Sequence, residues 1–293
     1  MKSTRLLAIA EGLLLTIIWA SSFVFIKVGL VYFKPMTLAG IRFFLAFMLL
    51  LPIMARHGGL KKSSAGGQWI HLFLMGLCAY TIGNGTLFWG LKYLPATTGS
   101  FLFGLMPLPV LLLGIIWLKE IPKRWQLVGL LITLAGSSLF FSPGLSAKEP
   151  LAVAVVSIGV LSCAVYGILS RKSSRQGYVG IIPLTAIPLG FGGGLLLLLG
   201  LIIEGMFTLS LGGLAIILWL AGINTIFAYL LFYHSLRVLT ALELHVLLNL
   251  MPLGTAVWAG LLLGEHLTSA QIVGMIMVVG GVTLVQWRKE GWI

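Results

Sequence analysis

The chain has 293 residues, 59% of them hydrophobic and only 9% charged. Soluble domains carry roughly 25% charge, so lipid rather than water is the solvent over most of this chain. Its net charge of +12 invites a nucleic-acid reading, but the cations sit in alternate connections between apolar stretches and describe orientation instead.

Ten apolar stretches follow one another, approximately 6–27, 36–54, 69–91, 96–118, 125–142, 151–170, 179–203, 213–235, 240–263 and 269–288. Each is close to the ~20 residues that cross ~30 Å of hydrocarbon at ~1.5 Å per residue. Lipid offers the backbone no hydrogen-bond partner, so each is expected to be a helix. The first span carries Glu11 and Trp19, the second Arg42, and the third Tyr80, Asn84 and Trp89. Pro107 lies in the fourth span and Tyr166 in the sixth. Pro188 falls in the Pro- and Gly-rich seventh, and Asn224 and Tyr229 in the eighth. The ninth holds Glu243, His245, Asn249 and Pro252. Glycines seven apart, as at Gly129 and Gly136 in the fifth span and Gly274 and Gly281 in the tenth, suit close helix packing. A basic start before an apolar run resembles a secretory signal. The run is too long for one, and Glu11 interrupts it.

The connections after even-numbered spans, with the N-terminal segment, hold most of the cations: Lys2, Arg5, Arg56, Lys61, Lys62, Lys119, Lys123, Arg124, Arg171, Lys172, Arg175, Arg237, Arg288 and Lys289. The positive-inside rule therefore predicts both termini in the cytoplasm. Cys78 and Cys163 fall inside spans and read as buried packing thiols without metal or disulfide spacing.

The second half repeats the first. Residues 86–140 laid on 231–285 pair Lys92 with Arg237, Met106-Pro107 with Met251-Pro252, Glu120 with Glu265, Gln126 with Gln271, Gly129 with Gly274 and Gly136 with Gly281. Upstream, at a shift of 148, Thr37 and Phe43 pair with Thr185 and Phe191. Five spans per copy force the second copy to enter the bilayer from the opposite side. The predicted fold is an all-α integral membrane protein with ten transmembrane helices in two inverted five-helix repeats, 1–145 and 146–293. That is the plan of a secondary transporter.

Broken symmetry marks candidate solute contacts. Arg42 faces Gly190 in the repeat, His245 faces Ser100, Asn249 faces Gly104 and Asn224 faces Ala79. An asymmetric ligand requires such pairs, and drift between copies also produces them. Arg42 lies about 9 Å into its span. It either reaches out to phosphate and carbonyls or stands in a cavity as a fixed cation suited to a carboxylate. Trp19, Asn84, Tyr166 and Tyr229 would line that cavity with rings and amides, as amphipathic solutes require, while Tyr80 and Trp89 either join them or, as ordinary rings do, pack between helices. His245 titrates near neutral pH in water. With Glu243 it is a proton-coupling candidate, against the reading of a packed neutral His and a snorkelling Glu. Pro107, Pro252 and Pro188 are candidate gates or hinges, with static kinks as the alternative.

Several segments resemble the EamA branch of the drug/metabolite transporter superfamily. They are Ile18-Trp19-Ala20-Ser21-Ser22-Phe23, Pro35 to Arg42, Leu94-Pro95-Ala96, Leu118-Lys119-Glu120, and Leu262-Leu263-Gly264-Glu265-His266-Leu267-Thr268 with Gln271 and Gly274. The resemblance implies ten helices and a central cavity formed mainly by spans 1, 3, 4, 6, 8 and 9. It also implies movement of metabolites, with export favoured. Lys119 departs from the pattern, standing where the second copy has Gly264.

The expectation is a multi-pass carrier of the bacterial inner membrane. It would move a small amphipathic metabolite (an amino acid, amine or carboxylate) by alternating access, with lipid and solute as its partners and no nucleic acid. No metal, cofactor or catalytic residue is expected, since the five His are scattered and no paired acids or nucleophile with a base occur. An intramembrane enzyme and a channel-like facilitator are the alternatives. Carbonyl filters and charge rings are missing for the channel.

Overall fold

A computed structural model describes residues 2–56, 66–94, 96–142, 149–176, 179–251, 253–255 and 268–286. Among these residues it is all helical. In chain order come α1 (Lys2–Gly29), α2 (Pro35–Arg56) and α3 (Gly66–Gly76). A π segment, Leu77–Asn84, leads into α4 (Gly85–Tyr93), and α5 (Ala96–Gly104) and α6 (Pro107–Leu113) run into a second, Gly114–Leu118. Then come α7 (Arg124–Phe141), α8 (Pro150–Gln176), α9 (Ile181–Glu204) and α10 (Leu211–Ala221). A third π segment, Gly222–Phe227, continues into α11 (Ala228–Ser235), followed by α12 (Ala241–Leu248) and α13 (Ser269–Gln286).

Eight stretches among the described residues are long and apolar enough to cross a membrane. Sequence reading expects ten. The stretches 125–142 and 240–263 are not among the eight: α7 runs to the edge of the described residues, and residues 256–263 lie outside them. Leu, Ile and Val also cover much of the outside, as at Leu112, Ile116, Ile202 and Ile276. An apolar exterior suits contact with lipid.

The most extensive packing joins α7 to α13 and α2 to α9, the same elements that the internal repeat pairs. The α7–α13 contact is reciprocal. A Cβ on Gly129 would lie 2.7 Å from the carbonyl oxygen of Gly281, and one on Gly281 2.5 Å from that of Gly129. Gly136 and Gly274 meet in the same way, at 2.8 and 2.6 Å. Backbones touch here because no side chain intervenes.

Two of the π segments begin 145 residues apart, at Leu77 and Gly222, which is the shift of the repeat. A π turn spoils the regular backbone ladder, and side chains satisfy the freed carbonyls. Asn84 Nδ2 donates to Ala79 O at 2.8 Å, and Thr225 Oγ1 donates to Leu220 O at 2.8 Å. A second repeated irregularity is the break at Leu105-Met106 and at Asn249-Leu250. There Met106 N donates to Phe103 O at 3.0 Å and Leu250 N to Leu247 O at 3.0 Å, one residue short of α-helical spacing. Pro107, which has no N–H, opens α6 just after the first break. Its repeat partner Pro252 lies outside the described residues.

Ion pairs cluster at one end of the bundle, where α1 and α12 begin and α8 and α11 finish. Arg5 Nη2 meets Glu243 Oε1 at 2.8 Å, His234 Nδ1 meets Glu11 Oε2 at 2.7 Å, and Arg171 Nε meets Glu120 Oε1 at 2.8 Å. Backbone groups extend the layer: Arg171 Nη1 donates to Leu236 O, and Ala241 N to Glu120 Oε2. Every one of these ties joins an element before residue 145 to one after it, except that between Arg171 and Leu236. At the far end, Glu204 caps α2 by accepting from Met36 N and Thr37 N at 3.0 and 2.8 Å.

Candidate functional site

Between the halves lies a cavity enclosing about 840 Å³, counting its open mouth. Trp19 and Ser22 reach it from α1, Arg42 from α2, Tyr166 from α8, Tyr229 and Phe232 from α11, and His245 from α12. Asn84 and Asn249 reach it from the irregular turns, the end of a π segment and the repeated break.

Arg42 is the strongest feature. It is only 4% exposed. Its Nε donates to Thr225 Oγ1 at 2.8 Å, Nη1 to Ser22 Oγ at 3.0 Å, and Nη2 to the backbone oxygen of Asn224 at 3.0 Å. The rings of Phe43 and Phe88 lie 5.0 and 5.9 Å from Cζ. Arg42 thus lines the cavity while donating to the backbone carbonyl of Asn224, held inward by α1 and the Asn224-Thr225 turn. None of the described ion pairs includes it.

The aromatic wall is continuous. Trp19 meets Tyr229 edge to face at 5.3 Å, and Tyr166 stacks on Phe232 at 5.9 Å. The Tyr166 hydroxyl bonds that of Tyr233 at 2.9 Å. His245 Nδ1 lies 2.8 Å from Ala241 O, so this nitrogen carries a hydrogen and donates. His245 also stands edge-on to Phe232 at 6.1 Å.

The structure brings Trp19, Arg42, Asn84, Tyr166, Tyr229, His245 and Asn249 to the cavity. The other expected contacts lie elsewhere. Tyr80 is fully buried behind the wall, against Phe43, Tyr166 and Tyr229. Asn224 is a strut between helices: its Nδ2 donates to Ile18 O and to Ser21 Oγ, and its backbone oxygen accepts from Trp19 Nε1 at 3.2 Å. Trp89 packs on Tyr93 one turn along its own helix, at 4.8 Å, and is absent from the lining. Glu243 is corrected likewise. It caps the start of α12, accepting from Thr240 N at 2.9 Å, and pairs with Arg5, so it is anchored at the helix start rather than in the cavity. Pro188 sits inside α9 without ending it, its carbonyl against Gly76.

Ser22, Phe103, Met106 and Phe232 also line the cavity and Thr225 holds Arg42, although the sequence does not single them out as solute contacts. Ser22 and Thr225 are hydroxyls inside apolar spans, next to residues already singled out, and that signal was available. Nothing in the sequence distinguishes Phe103 or Phe232 from other core rings.

A model of the EamA-like transporter family matches this chain twice, over residues 6–142 and 150–287. The chain belongs to the EamA-like transporter family. It is a multi-pass membrane transporter rather than an enzyme. An uncharacterized transporter of Archaeoglobus fulgidus is 31% identical over 94% of this chain and 95% of its own length. A probable amino-acid metabolite efflux pump of Salmonella typhimurium is 27% identical over 92% of this chain and 91% of its own. One solved crystal structure of a protein superposes with a TM-score of 0.78 over 95% of this chain and 96% of that one, at 17% identity. At that identity the likeness bears on fold alone. This family member's solute is small, as the family implies.

Proposed function

We propose that this protein is a secondary transporter exporting a small amphipathic metabolite by alternating access. The solute, an amino acid, amine or carboxylate, binds in the cavity between two inverted five-helix repeats, 1–145 and 146–293. In this reading α7 and α12 with its continuation supply the fifth and ninth spans. Both termini face the cytoplasm of a bacterial inner membrane. The reciprocal Gly129–Gly281 and Gly136–Gly274 contacts support the inversion, because a two-fold axis between antiparallel twins produces that exchange of partners.

One observation carries the reading: the cavity is walled by both halves, and the ion pairs between the halves among the described residues lie at one end of the bundle. With the termini in the cytoplasm, this is a cytoplasm-closed state. Rocking of the halves breaks the layer and presents the cavity to the other side. Trp19, Arg42, Asn84, Tyr166, Tyr229, His245 and Asn249 contact the solute, with Tyr80 and Asn224 supporting them. His245 is the proton-coupling candidate that lines the cavity. The breaks at Pro107 and its twin act as hinges in the wall.

A panel of amino acids, amines and carboxylates, assayed for uptake and efflux in proteoliposomes with and without a pH gradient, tests this. Saturable flux of at least one solute is expected, with reporters fused to the two termini lying on the same, cytoplasmic, side. Termini on opposite faces would end the reading, as would flux that rises linearly with concentration.

A further inference from the structure

We infer that the transported solute is an organic monoanion carrying a second, neutral hydrogen-bonding group, its carboxylate on Arg42 and the neutral group on Asn249. This rests on the cavity being the transport site.

The guanidinium has five N–H donors in a planar fork. Three are committed to Thr225, Ser22 and Asn224. Two have no acceptor among the described residues, and the side chain lines the cavity. A buried cation without a counterion is costly, and a planar carboxylate suits the remaining fork.

The acids are accounted for elsewhere. Five of the seven Glu are described, and none lines the cavity. Glu11 holds His234, Glu120 holds Arg171, and Glu243 holds Arg5. Glu204 caps α2, and Glu149 is exposed. An ammonium entering the cavity would leave water with no carboxylate among the described residues to receive it, beside a fixed positive charge. The site therefore discriminates against amines, and against an α-amino acid relative to its N-acyl counterpart.

Asn249 supplies the second point. It is 2% exposed, yet neither Oδ1 nor Nδ2 has a hydrogen-bond partner among the described residues. Buried amides are almost always paired. An unpaired one on a cavity wall is complementary to a ligand group that both donates and accepts, such as an amide or a hydroxyl. Gly104 makes room for it: a Cβ there would lie 2.8 Å from Asn249 Oδ1. The rings of Trp19, Tyr166, Tyr229 and Phe232 then receive the apolar body.

Calorimetric titration of the full-length protein in lipid nanodiscs tests the inference with four matched probes at neutral pH. N-acetylphenylalanine is an anion with an amide, and 3-phenylpropanoate an anion without one. Phenylalanine is a zwitterion, and phenethylamine a cation. N-acetylphenylalanine is expected to bind about fivefold more tightly than 3-phenylpropanoate, which lacks only the neutral hydrogen-bonding group, and about tenfold or more tightly than phenylalanine and phenethylamine, with phenethylamine weakest. Asn249→Leu should bring N-acetylphenylalanine down to the level of 3-phenylpropanoate. Arg42→Gln should abolish the preference for anions. Because Arg42→Gln also removes a tie between helices, the wild-type ordering decides by itself. Phenylalanine or phenethylamine binding as tightly as N-acetylphenylalanine overturns the inference, and so does failure of both anions to bind at millimolar concentration. Saturable transport of an amine or zwitterion, with the anions inert, sinks this inference and leaves the carrier reading standing. A protein that moves nothing on the transport panel sinks the carrier reading itself.

Discussion

Glu120→Gln is the cleanest test of the ion-pair layer as a gate. The substitution keeps the shape of the side chain and removes the charge that Arg171 Nε meets at 2.8 Å. It also weakens the acceptor for Ala241 N. The two side chains are only 10% and 14% exposed, so the pair is poorly screened by water. Removing one partner of a fully buried pair costs roughly 3–5 kcal/mol. A charge-assisted hydrogen bond with some access to water is worth about 1.5–3 kcal/mol. Arg171 keeps the carbonyl of Leu236 in the variant, which favours the lower range. A loss of about 2 kcal/mol from the closed state shifts its equilibrium with the open state about 30-fold. Cys163 provides the readout, because it lines the cavity and is 7% exposed. In a Cys78→Ala background, inside-out vesicles are treated with a membrane-impermeant thiol reagent. Glu120→Gln should raise the rate of Cys163 labelling from the cytoplasmic face by about an order of magnitude, within the 30-fold ceiling. Cytoplasmic labelling no faster than in the parent would refute the gate.

Gly136→Ala places a Cβ 2.7 Å from Met277 Cβ and 2.8 Å from the carbonyl oxygen of Gly274, forcing α7 away from α13. Overpacking of this kind costs about 1–3 kcal/mol, so thermal unfolding in detergent should move to lower temperature. Gly281→Ala should do the same, and an unchanged melting temperature in both would remove the close glycine contact from the account. Lys119 has a φ of 57°, the only positive φ outside glycine among the described residues. A left-handed backbone costs a side-chain-bearing residue about 1–2 kcal/mol, partly offset by the flexibility that glycine adds to the unfolded chain. Lys119→Gly should therefore raise the melting temperature modestly, and a fall would show that the lysine side chain contributes more than the backbone loses.

Much of the architecture was legible in a single dimension. Apolar runs of membrane length can only be helices in lipid. The numerical shift between copies anticipated which helices are twins. It also marked the glycines on which α7 and α13 meet. Arg42 and Asn249 stood out because a polar group inside an apolar span needs a reason wherever it points.

Direction and partnership belong to the tertiary structure. A π turn inserts a residue into the 3.6-residue cycle, so the phase of a span before Leu77 or Gly222 no longer says which way a side chain after it faces. Trp89 packs on Tyr93 and Tyr80 lies behind the wall, directions that the sequence left open between lining and packing. Nor does local pattern reveal a partner more than 180 residues away. Thr225 holds Arg42, Arg5 takes Glu243, and His234 takes Glu11 only because folding brings distant helices together. Periodicity is a property of the single helix, whereas a hydrogen bond between two helices depends on their rotation and depth, which packing alone determines.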